Sequence, residues 1–299
     1  MLTHGAFMVS TGLLIDQVIT GISIGSTLFL IAVGLSLIFG VLEVLNFAHG
    51  ALYMIGAYMV VVAINDSLGG FWVGVVLAIL TVGLIGTVIE MGFLRRVYER
   101  EELDQLLLTF AFVLIITDGV RNVFGSGSNV IDPPALFRFD IVFTQGVSIP
   151  GYRAFVILMS FVVMGAIFAV LRVTNFGRIV RATSSDRDMA LLLGINVPRL
   201  YTAVFFIGAA LAGLGGALVA PLQSVTPELG NQVIINAFVI VVIGGLGSFG
   251  GAFVGAYLIG LMIAVGSVFA AGAGQLFPFV ALIAVLLLKP EGLVGGAEA

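Results

Sequence analysis

The sequence has no cysteine, a single lysine and very few charged residues. Charged side chains occupy 9% of the 299 positions, whereas soluble domains carry roughly 25%. This deficit indicates a chain that lies in a lipid bilayer. The lack of cysteine excludes disulfides and thiolate metal sites. No cluster of metal ligands and no pairing of a nucleophile with a base stands out, so we predict neither a metal site nor an enzyme. The net charge of −4 is thinly spread and indicates no nucleic-acid partner.

Long apolar runs fill the rest of the chain, which is 60% hydrophobic with a mean hydropathy of +1.23. A span needs about 20 such residues. Suitable runs cover 18–39, 48–64, 71–94, 106–124, 154–171 and 201–221. The tail 234–288 is broken at 244–251 and near 272–275, and has room for two or three more. We therefore expect an all-α, polytopic transmembrane bundle of eight to ten spans, with broken helices, forming one domain over 1–299.

The N-terminus and the basic residues predict the orientation. The opening MLTHGAF lacks the basic start of a secretory signal, so the first apolar run is expected to be a retained span. Because basic residues favour the cytoplasmic side, the side with more of them should be cytoplasmic. That side holds Arg95, Arg96, Arg100, Arg172, Arg178, Arg181, Arg187, Arg199 and Lys289, which leaves Arg121, Arg138 and Arg153 outside. We predict a cytoplasmic loop at about 173–199, an external loop at about 125–151, and an external N-terminus.

Outside one Pro-containing loop, the longest polar stretch lies in the cytoplasmic loop and reads TNFGRIVRATSSDRDMALLLGINVP, 174–198. Asp186 is suited to cap a short helix that runs through the following leucines. Gly194 is suited to end that helix and Pro198 to prevent it from resuming. A short amphipathic helix held outside the membrane is typical of a docking element for a soluble partner.

Two glycine-interrupted segments stand out, GVLEVLNFAHG at 40–50 and GGLGSFGG at 244–251. Broken helices in transporters line cavities, and their exposed helix ends attract charged groups of the solute. One interpretation is therefore a translocation path for a small zwitterion. Its predicted residues are Glu43, Asn46, Phe47, His49, Gly50, Gly244, Gly245 and Gly247. The alternative is that the glycines allow close helix packing and that the polar residues form a cytoplasmic turn.

Several blocks, in order, resemble one family. GLSLIFGVLEVLNFAHGALYMIGAY at 34–58 is similar to the signature of permease subunits of hydrophobic (branched-chain) amino-acid ABC importers. LLLTF at 106–110, RATSSDRDMALLLGI at 181–195, VFFIGAALAGLGGAL at 204–218, AFVIVVIGGLGSFGGAFVGAYLIG at 237–260 and KPEGLVG at 289–295 continue the resemblance. The chain looks like the shorter of the two permease types. Glu43 departs from the small or apolar residue that the resemblance leads us to expect.

The resemblance implies ATP-driven import by alternating access across the bacterial cytoplasmic (inner) membrane. Expected partners are two ATP-binding subunits, a second permease subunit, a periplasmic substrate-binding protein and membrane lipid. Residues expected to couple to the ATPase are Arg181, Asp186, Asp188, Ala190, Gly194 and Pro198. A P-loop requires lysine before serine or threonine. Pro290 follows the only lysine, Lys289, so this chain should carry no nucleotide cofactor and should depend on separate subunits for ATP hydrolysis.

Other interpretations remain open from the residues alone. The solute could be urea, a short amide or another small polar molecule, and the chain could be an ion-coupled secondary transporter. His49 could contact solute or simply bond to backbone carbonyls. Arg121 shares a helix face with Asp118, and Arg95 lies about one turn after Glu90, so both pairs are expected to form ion pairs near the membrane surfaces.

Overall fold

The computed structural model describes residues 11–144, 147–269 and 274–294. This part of the chain is built from α-helices, as the sequence predicts. The helices are α1 (Thr11–Leu42), α2 (Ala48–Asn65), α3 (Gly70–Gly92), α4 (Glu102–Phe124), α5 (Gly151–Val173), α6 (Asn175–Ser185), α7 (Arg187–Leu192), α8 (Val197–Val219), α9 (Leu229–Gly244), α10 (Phe249–Phe269) and α11 (Phe277–Leu288). The segment MLTHGAF and part of the tail break at 272–275 lie outside the described residues.

Seven helices in the described ranges are long and apolar enough to cross a membrane. They are α1, α2, α3, α4, α5, α8 and α10. This number is below the eight to ten spans that we expected. The difference lies in the glycine-interrupted tail, where shorter apolar helices cover Leu229–Gly244 and Gly274–Leu288. They are too short to count as full spans by length, and with them the described residues form nine apolar helices, within the expected eight to ten.

The core of the bundle is formed where α1, α2 and α8 pack together, with α3, α9 and α10 around them. Side chains as large as Tyr53, Tyr58 and Phe29 are fully buried there. Glycines allow the backbones to approach: a Cβ at Gly216 on α8 would lie 1.9 Å from the carbonyl oxygen of Tyr53 on α2. This use of small residues is typical of helix packing in membranes.

The bundle has two chemically different ends. At one, here called the basic end, the Ser184 hydroxyl donates to the Gly40 carbonyl and the Arg95 guanidinium donates to the Pro198 carbonyl. These contacts join the end of α1, the chain after α3, and the α6–α8 region. The nine basic residues assigned to the cytoplasm occupy elements of this end. The positive-inside rule therefore makes the basic end cytoplasmic.

The opposite end carries the predicted external loop. A two-stranded antiparallel sheet joins β1 (Asp140–Thr144) to β2 (Val147–Pro150). These strands were not predicted from the sequence. A further bridge pairs Asn129 with Val225 beyond α8. Arg121 forms the expected ion pair with Asp118 at 3.1 Å and a second one with Glu228 at 2.6 Å. All of these groups lie at the end of the bundle away from α6 and α7.

Candidate functional site

The cytoplasmic loop folds into two helices rather than the single one that we predicted. The first, α6, begins after Thr174, whose hydroxyl oxygen accepts a 3.1 Å hydrogen bond from the backbone N–H of Gly177. This is an N-cap, and the threonine directly before the helix was the sequence signal for it. Gly177, Val180 and Thr183 form the buried side of α6. Their spacing of three residues places them on one face, so α6 lies along the bundle.

The second helix, α7, matches the prediction closely. The Asp186 carboxylate accepts a 2.8 Å hydrogen bond from the backbone N–H of Met189, and helix Arg187–Leu192 follows. Gly194 has a φ of +83°, and its N–H donates to the Leu191 carbonyl. Pro198 has a further role that we did not predict, because it lies in the first turn of α8. The connection between α7 and α8 is therefore short, and both helices begin at a capping residue.

An apolar surface is exposed on and just after α7. The exposed fractions are 51% for Met189, 46% for Leu191, 83% for Leu192 and 72% for Leu193. Ala190 alone turns inward and is buried. We call these four exposed residues the α7 patch. Because the patch lies outside the membrane-spanning helices, it is not part of a span, and exposed apolar surfaces of this kind mark sites of protein or membrane interaction.

A buried carboxylate accepts several hydrogen bonds at the basic end, beside α7. Glu90, fully buried near the end of α3, accepts two 3.2 Å hydrogen bonds from the Arg95 guanidinium. It also accepts from the hydroxyls of Tyr98 at 3.2 Å and Thr202 at 2.8 Å. The pairing with Arg95 was predicted, whereas Tyr98 and Thr202 were not. Burial first, and then the Glu90 charge, raise the pKa of the Tyr98 phenol, so it stays protonated as a donor.

Arg187 in the first turn of α7 connects the α7 patch to this cluster. Its guanidinium lies 4.0 Å from the Glu99 carboxylate and 5.8 Å from the centre of the Tyr201 ring. The Tyr201 ring in turn meets the Tyr98 ring edge-on, with centroids 5.4 Å apart. A displacement of α7 would therefore act directly on the chain between α3 and α4 and on the start of α8.

The two glycine-interrupted segments meet at the basic end. A Cβ at Gly40 would lie 2.9 Å from the Cα of Gly247. Ser36 donates a 3.3 Å hydrogen bond to the Ser248 carbonyl close by. Ser184 on α6 donates to the Gly40 carbonyl at 2.8 Å. We call this meeting of α1, α6 and the turn before α10 the glycine junction.

The predicted path residues of the first segment lie in different surroundings. Glu43 is exposed, with a φ of +57° that few residues other than glycine adopt. Asn46 and His49 are fully buried. The Nε2 atom of His49 lies 3.1 Å from the Ile31 carbonyl oxygen, whereas neither amide atom of Asn46 has a hydrogen-bond partner in the described residues. The Phe47 ring packs against the Phe238 ring at a tilt of 37°, with centroids 4.6 Å apart.

The remaining path residues are packed glycines. Gly50 lies against Gly230, and a Cβ there would approach the Gly230 carbonyl oxygen to 2.5 Å. Gly244 packs on Gly251, while Gly245 and Gly247 have φ values of +103° and +80°. These contacts support the packing interpretation of GGLGSFGG. A role in solute passage stays a prediction for this set.

Comparison with known proteins decides the family. A sequence model described as "Branched-chain amino acid transport system / permease component" matches residues 17–287. The chain belongs to this family. This permease is 32% identical to the high-affinity branched-chain amino acid transport system permease protein LivH of Escherichia coli K12, over 95% of this chain and 96% of LivH.

Two further relatives extend the comparison. The permease is 32% identical to BraD of Pseudomonas aeruginosa, which bears the same description, over 95% of this chain and 96% of BraD. It is 25% identical to the probable branched-chain amino acid transport permease protein LivH of Methanocaldococcus jannaschii, over 90% and 88% of the two chains. No solved structure matches the chain. The family and the seven candidate spans identify a multi-pass transport protein of the cytoplasmic membrane.

Proposed function

We propose that this permease forms the membrane path of an ATP-driven importer for branched-chain and other hydrophobic amino acids. It would pair with a second permease subunit, receive solute from a periplasmic binding protein, and be driven by two ATP-binding subunits. Support for the solute comes from the family description and from the names of the relatives. The only lysine of this chain is followed by proline and cannot complete a P-loop, so ATP hydrolysis in such an importer would fall to separate subunits.

The observation that carries the proposal is the α7 patch. Leu192 and Leu193 are among the most exposed leucines of the described chain, yet they lie on a capped helix at the basic end. An apolar helix face that enters a hydrophobic groove is a recurrent mode of protein recognition. The charged neighbours Asp186, Asp188 and Arg187 give the patch a polar rim. A groove on an ATP-binding subunit is the partner that this arrangement fits.

The structure offers two routes by which motion of such a partner would reach the spans. One route runs from Arg187 through Tyr201 and Glu99 to the cluster around Glu90, which joins α3 to α8. The other runs from α6 through Ser184 to the glycine junction. Both routes end at helix termini, where rigid helices can be tilted as units. Alternating access by rocking of the bundle would follow from closure of the ATP-binding subunits.

Gentle purification of the tagged permease from its native membrane, followed by mass spectrometry, tests this proposal. We expect ATP-binding subunits and a sister permease in the purified complex. Replacing Leu192 and Leu193 by serine should reduce recovery of the ATP-binding subunits. Serine at Val130, which is 81% exposed at the opposite end, is the matched control and should leave recovery unchanged. Recovery of this chain alone, with gradient-driven uptake in liposomes without ATP, would instead identify a secondary transporter.

A further inference from the structure

A cavity of about 490 Å³ opens at the basic end, away from the cluster around Glu90. It lies between the end of α1, the last turns of α5, α6 and the start of α10. Its polar wall consists of Arg172, Arg181, Ser184 and Ser185, and its apolar wall includes Met164 and Phe168. The glycine junction of Gly40, Ser184 and Gly247 borders this cavity, and the proposed transport cycle assigns no ligand to it.

The polar wall is positively charged, and among the described residues no acidic side chain lines the cavity. The Arg172 guanidinium lies over the Phe168 ring, 4.7 Å from its centre. The Arg181 guanidinium donates to the Leu171 carbonyl, which holds it against the end of α5. Neither arginine forms an ion pair within residues 11–144, 147–269 and 274–294. Two guanidinium groups on one wall suit a phosphate group, which accepts several charge-assisted hydrogen bonds.

The apolar wall continues onto the membrane-facing surface of α5. Leu158, Phe161, Val162 and Phe168 are between 50% and 61% exposed. All four lie within the candidate span Gly151–Val173, so this surface faces lipid or another membrane subunit. The cavity is thus a charged recess at the cytoplasmic surface with an apolar track running from it into the bilayer. A free anion would use only the recess, whereas a phospholipid would use the recess and the track.

We propose that this cavity binds an anionic phospholipid of the inner leaflet, with its phosphate between Arg172 and Arg181 and an acyl chain along Phe168. Basic pockets between spans on the cytoplasmic side are suited to anionic headgroups. The arrangement gives Arg181 a role that differs from the ATPase contact expected from the sequence, because its side chain is turned to the cavity. The lipid would rest against α6, and so beside the Ser184 contact with Gly40.

Lipid retention measured by native mass spectrometry tests this site. The full-length permease is purified from nanodiscs that contain phosphatidylethanolamine and phosphatidylglycerol in equal amounts. We expect phosphatidylglycerol to be retained in preference. Arg172→Gln and Arg181→Gln should each lower this preference about fivefold, the effect typical of one basic residue at an anionic surface. Arg178→Gln is the matched control, because Arg178 lies on α6 outside the cavity and bonds to Asn175.

The outcomes separate lipid from other anions and from misfolding. Equal retention by the wild type and both cavity variants would overturn the proposal. Protection against thermal unfolding by inorganic phosphate or glycerol phosphate, without lipid preference, would show a site for soluble anions and also overturn it. Arg181→Gln could fail to fold, because it loses the hydrogen bond to Leu171. In that case Arg172→Gln decides alone, because the Arg172 guanidinium lies over the Phe168 ring and its loss should leave folding intact. Recovery of ATP-binding subunits is scored separately, so the two proposals can fail independently.

Discussion

The hydroxyl of Ser184 on α6 donates a 2.8 Å hydrogen bond to the carbonyl oxygen of Gly40, 144 residues earlier at the end of α1. That carbonyl belongs to a segment whose backbone touches Gly247 before α10. A single side chain on the surface loop therefore connects to both glycine-interrupted segments. Helix α1 is also the longest candidate span and one of the most buried. The contact is suited to pass a movement of the loop into the centre of the bundle.

Removing this hydroxyl should weaken coupling without preventing assembly. A hydrogen bond of this kind contributes about 0.5–1.5 kcal/mol, which corresponds to roughly a two- to tenfold change in a coupling equilibrium. We expect Ser184→Ala to lower solute uptake per ATP hydrolysed by that factor in proteoliposomes. Ser185→Ala is the control, since within the described residues the Ser185 hydroxyl bonds to the Arg181 carbonyl of its own helix and not to α1. Equal uptake per ATP in the wild type and Ser184→Ala would exclude a coupling role for the contact.

Glu90 should be the most sensitive charged position in the described structure. Its carboxylate is fully buried and accepts hydrogen bonds from three side chains. Breaking a buried pair usually costs about 3–5 kcal/mol. The Arg95 side chain is 35% exposed, so water compensates part of the loss and we expect about 2–3 kcal/mol for Glu90→Ala. The measurement is the free energy of unfolding in detergent.

Two further variants check this assignment. Glu90→Gln retains the shape and one acceptor, so its loss should be intermediate. Asp104→Ala removes an ion pair in which Arg100 is 4.0 Å away and both side chains are at least half exposed, so it should cost under about 1 kcal/mol. If Asp104→Ala destabilised the protein as much as Glu90→Ala, burial would not be the reason for the effect.

Gly251 tests whether GGLGSFGG is a packing motif. A Cβ at Gly251 would lie 2.0 Å from the carbonyl oxygen of Gly244, which is backbone and cannot rotate away. We expect Gly251→Ala to destabilise the protein by about 1–3 kcal/mol or more, as overpacking does. Gly165→Ala in α5 meets open space and should be neutral or stabilising by up to about 1 kcal/mol. The stability of both variants is compared by thermal unfolding in the same detergent. Equal changes in stability for the two variants would argue against a packing role of GGLGSFGG.

Local features of the fold could be predicted, and contacts distant in sequence could not. The Asp186 cap and the Gly194 stop depend on residues within one turn, so the sequence displays them directly. Glu90 and Arg95 are likewise near neighbours. Thr202 completes the same cluster from 112 residues away, and no local pattern signals it. Helix α6 was missed because its sequence is polar and resembles that of a loop. Its buried face is formed only by packing against the bundle.

The glycine-interrupted segments show the same limit. Each was recognised as a break in an apolar run, because clustered glycines disfavour the interior of a helix. Their meeting at Gly40 and Gly247 depends on how α1 packs against α10, which composition does not encode. The expected number of spans is reached only when the shorter apolar helices of the tail are included. Counting spans from the length of apolar runs assumes helices of about 20 residues. The glycine-rich tail instead includes the shorter helices α9 and α11, of 16 and 12 residues.

Asn46 provides the sharpest test of a solute path, because stability and transport are expected to change in opposite directions. Both amide atoms are buried without a partner in the described chain, and an unpaired buried polar group costs about 1–3 kcal/mol. Asn46→Leu should therefore stabilise the resting protein. If the amide meets solute during transport, uptake should fall at least tenfold while ATP-binding subunits stay bound. Tyr58→Phe removes another buried, unpaired group, and should raise stability while leaving uptake intact. If uptake is unchanged in Asn46→Leu, the amide has no role in transport and Asn46 is a packing residue.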